Sequence, residues 1–349
     1  MCETAAAHRP RGFAHRPAGA RPRRHRPSAS AFRVSIRLGV RDGYSLRMRL
    51  HLVDGTYELF RAHFSKRPAH IDPGGRDAKA TVGVVWSMLA LLSEPEEQTT
   101  HVAIAFDNPI RSFRNDLFAG YKTDEGVPPE ILQQFDAVEE AMRAIGVVVW
   151  SMDAWEADDA LATAAIRWRS DVDQVRILTP DKDLGQCISG ERVVQVDRMR
   201  KRVIGEAELL AERGIAPASV PDYLALVGDA ADGIPGISGF GKKTAAALLR
   251  EYGHIESIPA DGNKWKPPLR GAPALAATLQ THLERALLYR RLATLVRDVP
   301  LPQSLDDLRW RGVPPQAFAT WARSVGAHEA LVAYAGAVHR RTVGPDGSA

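Results

Sequence analysis

Cysteine is almost absent: Cys2 and Cys187 are the only two in 349 residues. That excludes a disulfide-built scaffold and a thiolate zinc cluster, and it fits a reducing compartment. Long apolar runs are lacking too. The longest, near Thr81–Leu92, falls short of the roughly 20 residues that a membrane span requires. No apolar segment of a secretory signal opens the chain. A soluble, cytoplasmic protein without a membrane partner is expected.

A net positive charge is missing from most of the chain, although the total is +4. Residues 1–47 hold 11 arginines, no lysine and only Glu3 and Asp42 as acids, a net +9. The remainder carries 35 bases against 40 acids, a net −5. A simple basic surface for nucleic acid is therefore excluded for the body. The Pro- and Arg-rich stretch over 1–47 reads as a disordered basic arm outside the fold. Three readings of it stay open: a nucleic-acid-binding tail, an organellar transit peptide, or upstream sequence that is not translated, since Met48 directly precedes a strand.

What remains is patterned. The length suggests about two domains. Leu50–Val53, His101–Phe106, Val147–Trp150 and Val175–Leu178 read as strands, alternating with helices at Lys79–Leu92, Pro129–Ile145 and Glu156–Arg169. Ile131, Phe135, Val138, Met142 and Ile145 fall at helical steps on one apolar face. The alternation predicts an α/β fold, a central and mostly parallel sheet flanked by helices. After about Val203 strand signals cease and a helical region follows.

The acids are placed where such a sheet binds ligands, at the carboxyl ends of its strands. Asp54 ends the first strand and Asp107 the second; Glu156, Asp158 and Asp159 open the helix after the third; Asp181 and Asp183 follow the fourth. Asp229 and Asp232 lie on a later turn. Singly, these acids read as helix caps, turns and solvated loops. Together they would repel one another unless cations intervene. Oxygen-only ligands select hard ions, Mg²⁺ or Mn²⁺, and a pair of such ions suits phosphoryl chemistry. Cations would also let an acidic body hold a polyanion.

A second motif, Gly233-Ile-Pro-Gly236-Ile-Ser-Gly239-Phe-Gly241, leads into Lys242-Lys243-Thr244 and a helix. Its backbone amides and the helix N-terminus make an anion site. A nucleotide-binding P-loop would need Ser or Thr where Lys243 stands, and a strand before it. An NTPase is excluded; grip on a DNA backbone fits better, with a plain helix–turn–helix corner as the alternative.

These motifs, in this order, resemble the metal-dependent 5′ nucleases: the 5′→3′ exonuclease domain of bacterial DNA polymerase I, phage 5′ exonucleases and flap endonucleases. The resemblance runs from about Leu50 to Trp310. It rests on Leu52-Val53-Asp54-Gly55, Phe106-Asp107, Ser112-Phe113-Arg114, Gly120-Tyr121-Lys122, Glu156-Ala157-Asp158-Asp159, Thr179-Pro180-Asp181-Lys182-Asp183, Gly228-Asp229-Ala230-Ala231-Asp232 and Arg291–Leu301. It implies a PIN-like core with a helical arch over 48–205, a helix–three-turn–helix DNA-binding region over 206–310 and a helical C-terminal tail over 311–349. Two Mg²⁺ ions, with Mn²⁺ as a substitute, are implied at the nine acids, and K⁺ at the Gly236–Thr244 turn. Lys122 and Arg114 are implied to grip the scissile phosphate, and Tyr121 to stack a base, a buried aromatic being the alternative. Gly236, Gly239, Gly241, Lys242, Lys243 and Thr244 are implied to hold DNA.

The implied activity is sequence-independent 5′→3′ exonuclease or 5′-flap endonuclease cleavage in replication or repair. The implied enzyme is a free-standing monomer, nucleoid-associated if bacterial, since only about 40 residues follow the nuclease region, too few for a polymerase. RNA/DNA hybrids such as primers are a further expected partner. A ribonuclease on the same fold and a non-catalytic structure-specific DNA-binding module are the alternatives. Four positions depart from the family. Relatives usually carry a basic residue three positions beyond the lysine, where this chain has Glu125 after Asp124; with Glu130 this weighs against strong flap threading. Asn115-Asp116 replaces His-Glu, and Gly233 replaces Asn.

Overall fold

The computed structural model describes residues 47–343. The expected basic arm therefore lies outside the described residues except for Arg47, as do residues 344–349. Six strands form one sheet: β1 (Arg49–Asp54), β2 (His101–Asp107), β3 (Val148–Met152), β4 (Gln174–Leu178), β5 (Val193–Asp197) and β6 (Arg202–Ile204), ordered β3-β2-β1-β4-β5-β6. Every neighbouring pair is parallel except β5 and β6. The four expected strands are present; β5 and β6 extend the sheet beyond them. The chain leaves β1 on one side for β2 and β3, then returns to β4 on the other. That reversal opens a crevice at the carboxyl ends of β1 and β4.

Helices cover both faces because the strands are apolar on both. β1 gives Leu50 and Leu52 to one face and Val53 to the other. The Val53 face is covered by α1 (Gly55–His63) and α2 (Lys79–Ser93). Two short helices follow, α3 (Arg114–Leu117) and α4 (Pro129–Leu132), and then α5 (Phe135–Ala144) on the same face. The expected single helix over 129–145 divides at Gln133-Gln134. Buried Gln134 turns its Oε1 to accept from the N–H and hydroxyl of Thr81, at 3.0 and 3.1 Å. Of the segment implied to form the arch, which carries Asp124, Glu125 and Glu130, only the single turn α4 is helical, a correction: residues 118–128 contain no helix. Gly126, at φ +83°, and Pro128-Pro129 interrupt any helix there.

The opposite face is covered by α6 (Ala157–Trp168), through Leu161 and Ala164. A separate core gathers α7 (Glu206–Arg213), α8 (Val220–Val227), α9 (Lys242–Tyr252), α10 (Ala272–Thr281) and α11 (Leu283–Ala293) around Leu224, Ile237, Phe240, Leu248 and Leu279. The chain then returns along α6, burying Leu295, Val299 and Leu301 there. Finally α12 (Pro315–Ser324) and α13 (Glu329–Val343) pack against the α2–α5 core through Phe318, Trp321 and Leu331. Trp86 stacks on Tyr334 at 5.3 Å between ring centres. Among the described residues no helix is long and apolar enough to cross a membrane.

Candidate active site

The strand ends deliver the acids to one cleft of about 530 Å³. Asp54, Asp107, Asp158, Asp181 and Asp232 line it, with Lys122, Lys182, Thr179, Tyr57 and Phe60. Asp54 caps α1: its Oδ1 accepts from the Tyr57 N–H and its Oδ2 from the Thr179 hydroxyl, each at 2.8 Å. Asp107 Oδ1 accepts from the Ala157 N–H at 2.7 Å, so β2 and the start of α6 are fastened beside the cleft. Asp181 Oδ1 accepts from the Asp183 N–H at 2.9 Å, which folds the Asp-Lys-Asp run into a tight turn.

Asp54, Asp107, Asp158, Asp183 and Asp232 are all shifted upward, because each loses solvent and faces other acids. Burial, with Asp107 and Asp181 nearby, pushes Asp54 up to about 7. Burial raises Asp107, helped by Glu156. Asp158 is raised well above its ordinary value by burial and by Asp181 and Asp54. Burial also raises Asp183 and Asp232, the first beside Asp181, Asp232 and Asp229 and the second beside Glu156 and Asp181. Asp181 thus acts on both groups of acids.

Asp183, Asp229 and Asp232 form a compact second group, with one oxygen of each within 4.8 Å of the others. Asp183 Oδ1 is buried and has no hydrogen-bond partner. An orphaned carboxylate oxygen beside two further carboxylates, with no nitrogen or sulfur donor, fits a hard divalent cation. Two lysines supply part of the missing charge. Lys122 Nζ lies 2.9 Å from Glu156 Oε2 and 3.1 Å from Asp232 Oδ1, and Lys182 pairs with Asp229.

Not all nine acids face the cleft. Asp159 is fully buried, and both of its oxygens are taken. Arg114 Nη1 and Nη2 donate to it at 2.7 and 2.8 Å, and the Val296 N–H donates at 2.8 Å. The expectation that Asp159 ligates metal is corrected: it is a clamp behind α6. Arg114 is corrected with it. It is 1% exposed, its Nε donates to the Leu292 carbonyl at 2.8 Å and its Nη2 to the Thr294 carbonyl at 3.1 Å, and its Nη1 lies 3.2 Å from Glu156 Oε1, so no donor remains for a phosphate. Glu156 lies beneath Lys122, accepting from the hydroxyls of Ser112 and Tyr121 at 2.7 and 3.2 Å. Although burial works the other way, Lys122 and Arg114 hold its carboxyl at about 2. Tyr121 is 5% exposed and packs in the helical core, so base stacking gives way to the buried-aromatic alternative.

A groove of about 730 Å³ has Lys182 in common with the cleft and is lined also by Asp229, Arg213, Tyr223, Lys242 and Lys243. The turn between α8 and α9 forms its wall. Gly236, at φ +75°, sits so close to the end of α8 that a Cβ would lie 2.6 Å from the Gly228 nitrogen. Gly239 also needs positive φ, whereas Gly241 caps α9 in open space. Lys242 and Lys243 are exposed on the first turn of α9, and Thr244 is half-buried. Two contributors carried no separate signal in the sequence. Thr179 orients Asp54, and Lys182 was hidden between two acids that would serve equally well in a solvated loop.

Residues 49–214 match the family model described as 5'-3' exonuclease, N-terminal resolvase-like domain, and residues 215–316 the one described as 5'-3' exonuclease, C-terminal SAM fold. A 5'-3' exonuclease of Aquifex aeolicus is 30% identical over 261 residues, which cover 74% of this chain and 86% of that protein. DNA polymerase I of Bacillus caldotenax is 34% identical over 273 residues, 76% of this chain. The match spans only 30% of the length of that polymerase. A variant of the phage T5 5'-exonuclease has a TM-score of 0.52 at 18% identity, covering 84% of this chain and 98% of its own. The catalytic core of Rad2 in complex with DNA substrate gives 0.54 at 13%, covering 84% and 93%. Likeness at those identities speaks for the fold alone. With both family models matched in order and the Aquifex protein aligned over most of its length, this chain belongs to the 5'-3' exonuclease family.

Proposed function

We propose that the chain hydrolyses DNA phosphodiester bonds from 5′ ends and at 5′ flaps, without sequence preference, using two divalent cations. The observation that carries this reading is convergence: carboxylates from the ends of β1, β2 and β4, from the first turn of α6 and from the α8–α9 turn meet at one cleft with two lysines. Asp54, Asp107 and Asp158 would hold one cation and Asp183, Asp229 and Asp232 the other, with Asp181 between the groups. Mg²⁺ suits this donor set, with Mn²⁺ as a substitute. Cations held by these residues would supply the Lewis acidity for attack of water on a phosphodiester and for departure of its 3′ oxygen, with a 5′ phosphate on the product.

The protein's own part is positioning. Lys122 is raised well above the ordinary lysine range by Glu156 and Asp232 against the pull of burial, so it stays cationic at the cleft wall. There it can donate to a phosphate oxygen as charge develops. Lys242, Lys243 and the N-terminus of α9 suit the duplex backbone, which is gripped through phosphates and carries no sequence preference. K⁺ at the turn between Gly236 and Thr244 belongs to the same reading. So do RNA/DNA hybrids as substrates, a monomeric state, and a cytoplasmic, nucleoid-associated place in replication or repair.

The test is cleavage of a nicked duplex labelled at the 3′ end of the cut strand, in Mg²⁺, Mn²⁺ or EDTA, with Asp181→Ala alongside. Metal-dependent products that vanish in the variant are expected. Tight binding without cleavage in either metal would replace the enzyme with a DNA-binding module. Cleavage confined to an RNA strand would make it a ribonuclease.

A further inference from the structure

Between Asn115 and Met142 the chain carries seven acids and a single base, Lys122. Two of its three N–H donors are directed at Glu156 and Asp232, which leaves one for a phosphate in the cleft and none for the segment beyond it. The segment is pinned on the near side of the cleft. Tyr121 is buried, the Lys122 N–H donates to the Asp232 carbonyl at 3.1 Å, and Asn115 Nδ2 donates to the Lys122 carbonyl at 2.8 Å. On the far side Ile131 is completely buried in the α2–α5 core. Between the pins residues 123–126 are exposed, and the Val127 N–H closes a turn on the Asp124 carbonyl at 3.0 Å.

The rim that leaves the cleft at Lys122 therefore presents Asp124 and Glu125, with Glu130 just beyond, and no second base. A single strand carries a negative charge at every phosphate. Threaded past this rim, it would meet these carboxylates, and beyond Lys122 the segment carries no base to offset them. A duplex end gripped in the groove of Lys182, Lys242 and Lys243 needs no such passage. We infer that Asp124 and Glu125 set the substrate class of this site, so that nicked and recessed 5′ ends are cut in preference to long single-stranded 5′ flaps. The inference rests on the nuclease reading above.

The experiment compares initial rates on two 3′-labelled substrates of the same duplex sequence, one nicked and one bearing a long 5′ flap. Wild type, the Asp124→Lys/Glu125→Arg double variant and the Asp124→Asn/Glu125→Gln double variant are assayed in Mg²⁺ at low and high KCl. Wild type should favour the nick. Charge reversal should raise the flap rate about tenfold relative to the nick, because one-signed clefts change encounter rates by about that factor or more. Neutralisation should raise it less, and added salt should shrink the wild-type preference. Equal cutting of both substrates by wild type, or a ratio unmoved in both variants, would overturn the inference and leave the nuclease intact. Failure of wild type to cut even the nicked duplex in any metal would sink the nuclease reading and the inference together.

Discussion

Arg114 meets Asp159 with both terminal nitrogens, at 2.7 and 2.8 Å, and neither side chain lines the cleft. The pair ties α3 to α6 and, through the Leu292 carbonyl and the Val296 N–H, to the chain leaving α11. Breaking one partner of a buried pair strands the other, at about 3–5 kcal/mol. Arg114→Ala is expected to lower stability by about that amount in urea unfolding, and a double-mutant cycle with Asp159→Asn should return a large coupling. Activity should fall only as the folded fraction falls. Lost turnover at unchanged stability would return Arg114 to the phosphate.

Tyr121 offers a second separation of structure from recognition. Its ring is buried and only its hydroxyl faces the site, donating to Glu156 at 3.2 Å. Tyr121→Phe should cost about 1 kcal/mol and leave DNA affinity unchanged, while Tyr121→Ala should cost about 3 kcal/mol or more through the cavity it leaves. A drop in affinity for DNA in the Phe variant at unchanged stability would contradict this placement.

Acids gathered for cations repel one another without them. Asp183→Asn should raise the metal-free protein's stability by about 1 kcal/mol, since it removes one member of a buried like-charged group. The same change should shrink the rise in melting temperature that Mn²⁺ produces in the wild type. Calorimetry with EDTA and with Mn²⁺ reads both effects. A metal-free variant less stable than wild type would count against the cluster as a cation site.

Far from the cleft, Glu97 accepts from buried His51 at 2.9 Å. That hydrogen bond, joined by Arg176, holds the Glu97 carboxyl at about 2 against an ordinary 4.5. Burial lowers His51, against the pull of the Glu97 carboxylate. As pH falls the unfolded chain takes up the Glu97 proton first. The contribution is therefore complete above the ordinary value and is lost as pH drops from 4.5 towards about 2. Partial exposure limits it to about 1–2 kcal/mol. Unfolding free energies measured across that range should lose this slope in Glu97→Gln; an unchanged slope would remove Glu97 from the acid limb.

Gly233 lies against the Gly120 carbonyl at φ +73°, where a Cβ would come within 2.0 Å of that oxygen. The oxygen belongs to backbone and has little room to yield. Gly233→Ala should cost about 2–3 kcal/mol from strain and contact together. Urea unfolding reads the loss, and hydrogen exchange at Tyr121 and Lys122 should rise if the contact pins that segment. Unaltered stability would show that the approach relaxes freely.

Much of the site was legible because local chemistry repeats the fold. Asp54, Asp107 and Asp181 each follow an apolar strand, and parallel strands place their carboxyl ends on one edge whatever the details of packing. The glycines before Lys242 announce a tight turn in the same local way. Which acids point inward was not legible. Asp158 and Asp159 are neighbours on one helix, and only the helical rotation between them sends the first to the cleft and the second to Arg114. Nor could spacing reveal that Lys182 joins Asp229, 47 positions further along the chain.

The sequence by itself determined the alternation of strands and helices, the set of clustered acids and the acidic segment after Lys122, because period, turn chemistry and charge reside in neighbouring residues. The tertiary structure decided which side chains are exposed, which are saturated and which face one another. Those depend on contacts between residues far apart in the chain. Arg114, with donors suited to a phosphate, is spent on a buried carboxylate because α6 and the chain beyond α11 close over it.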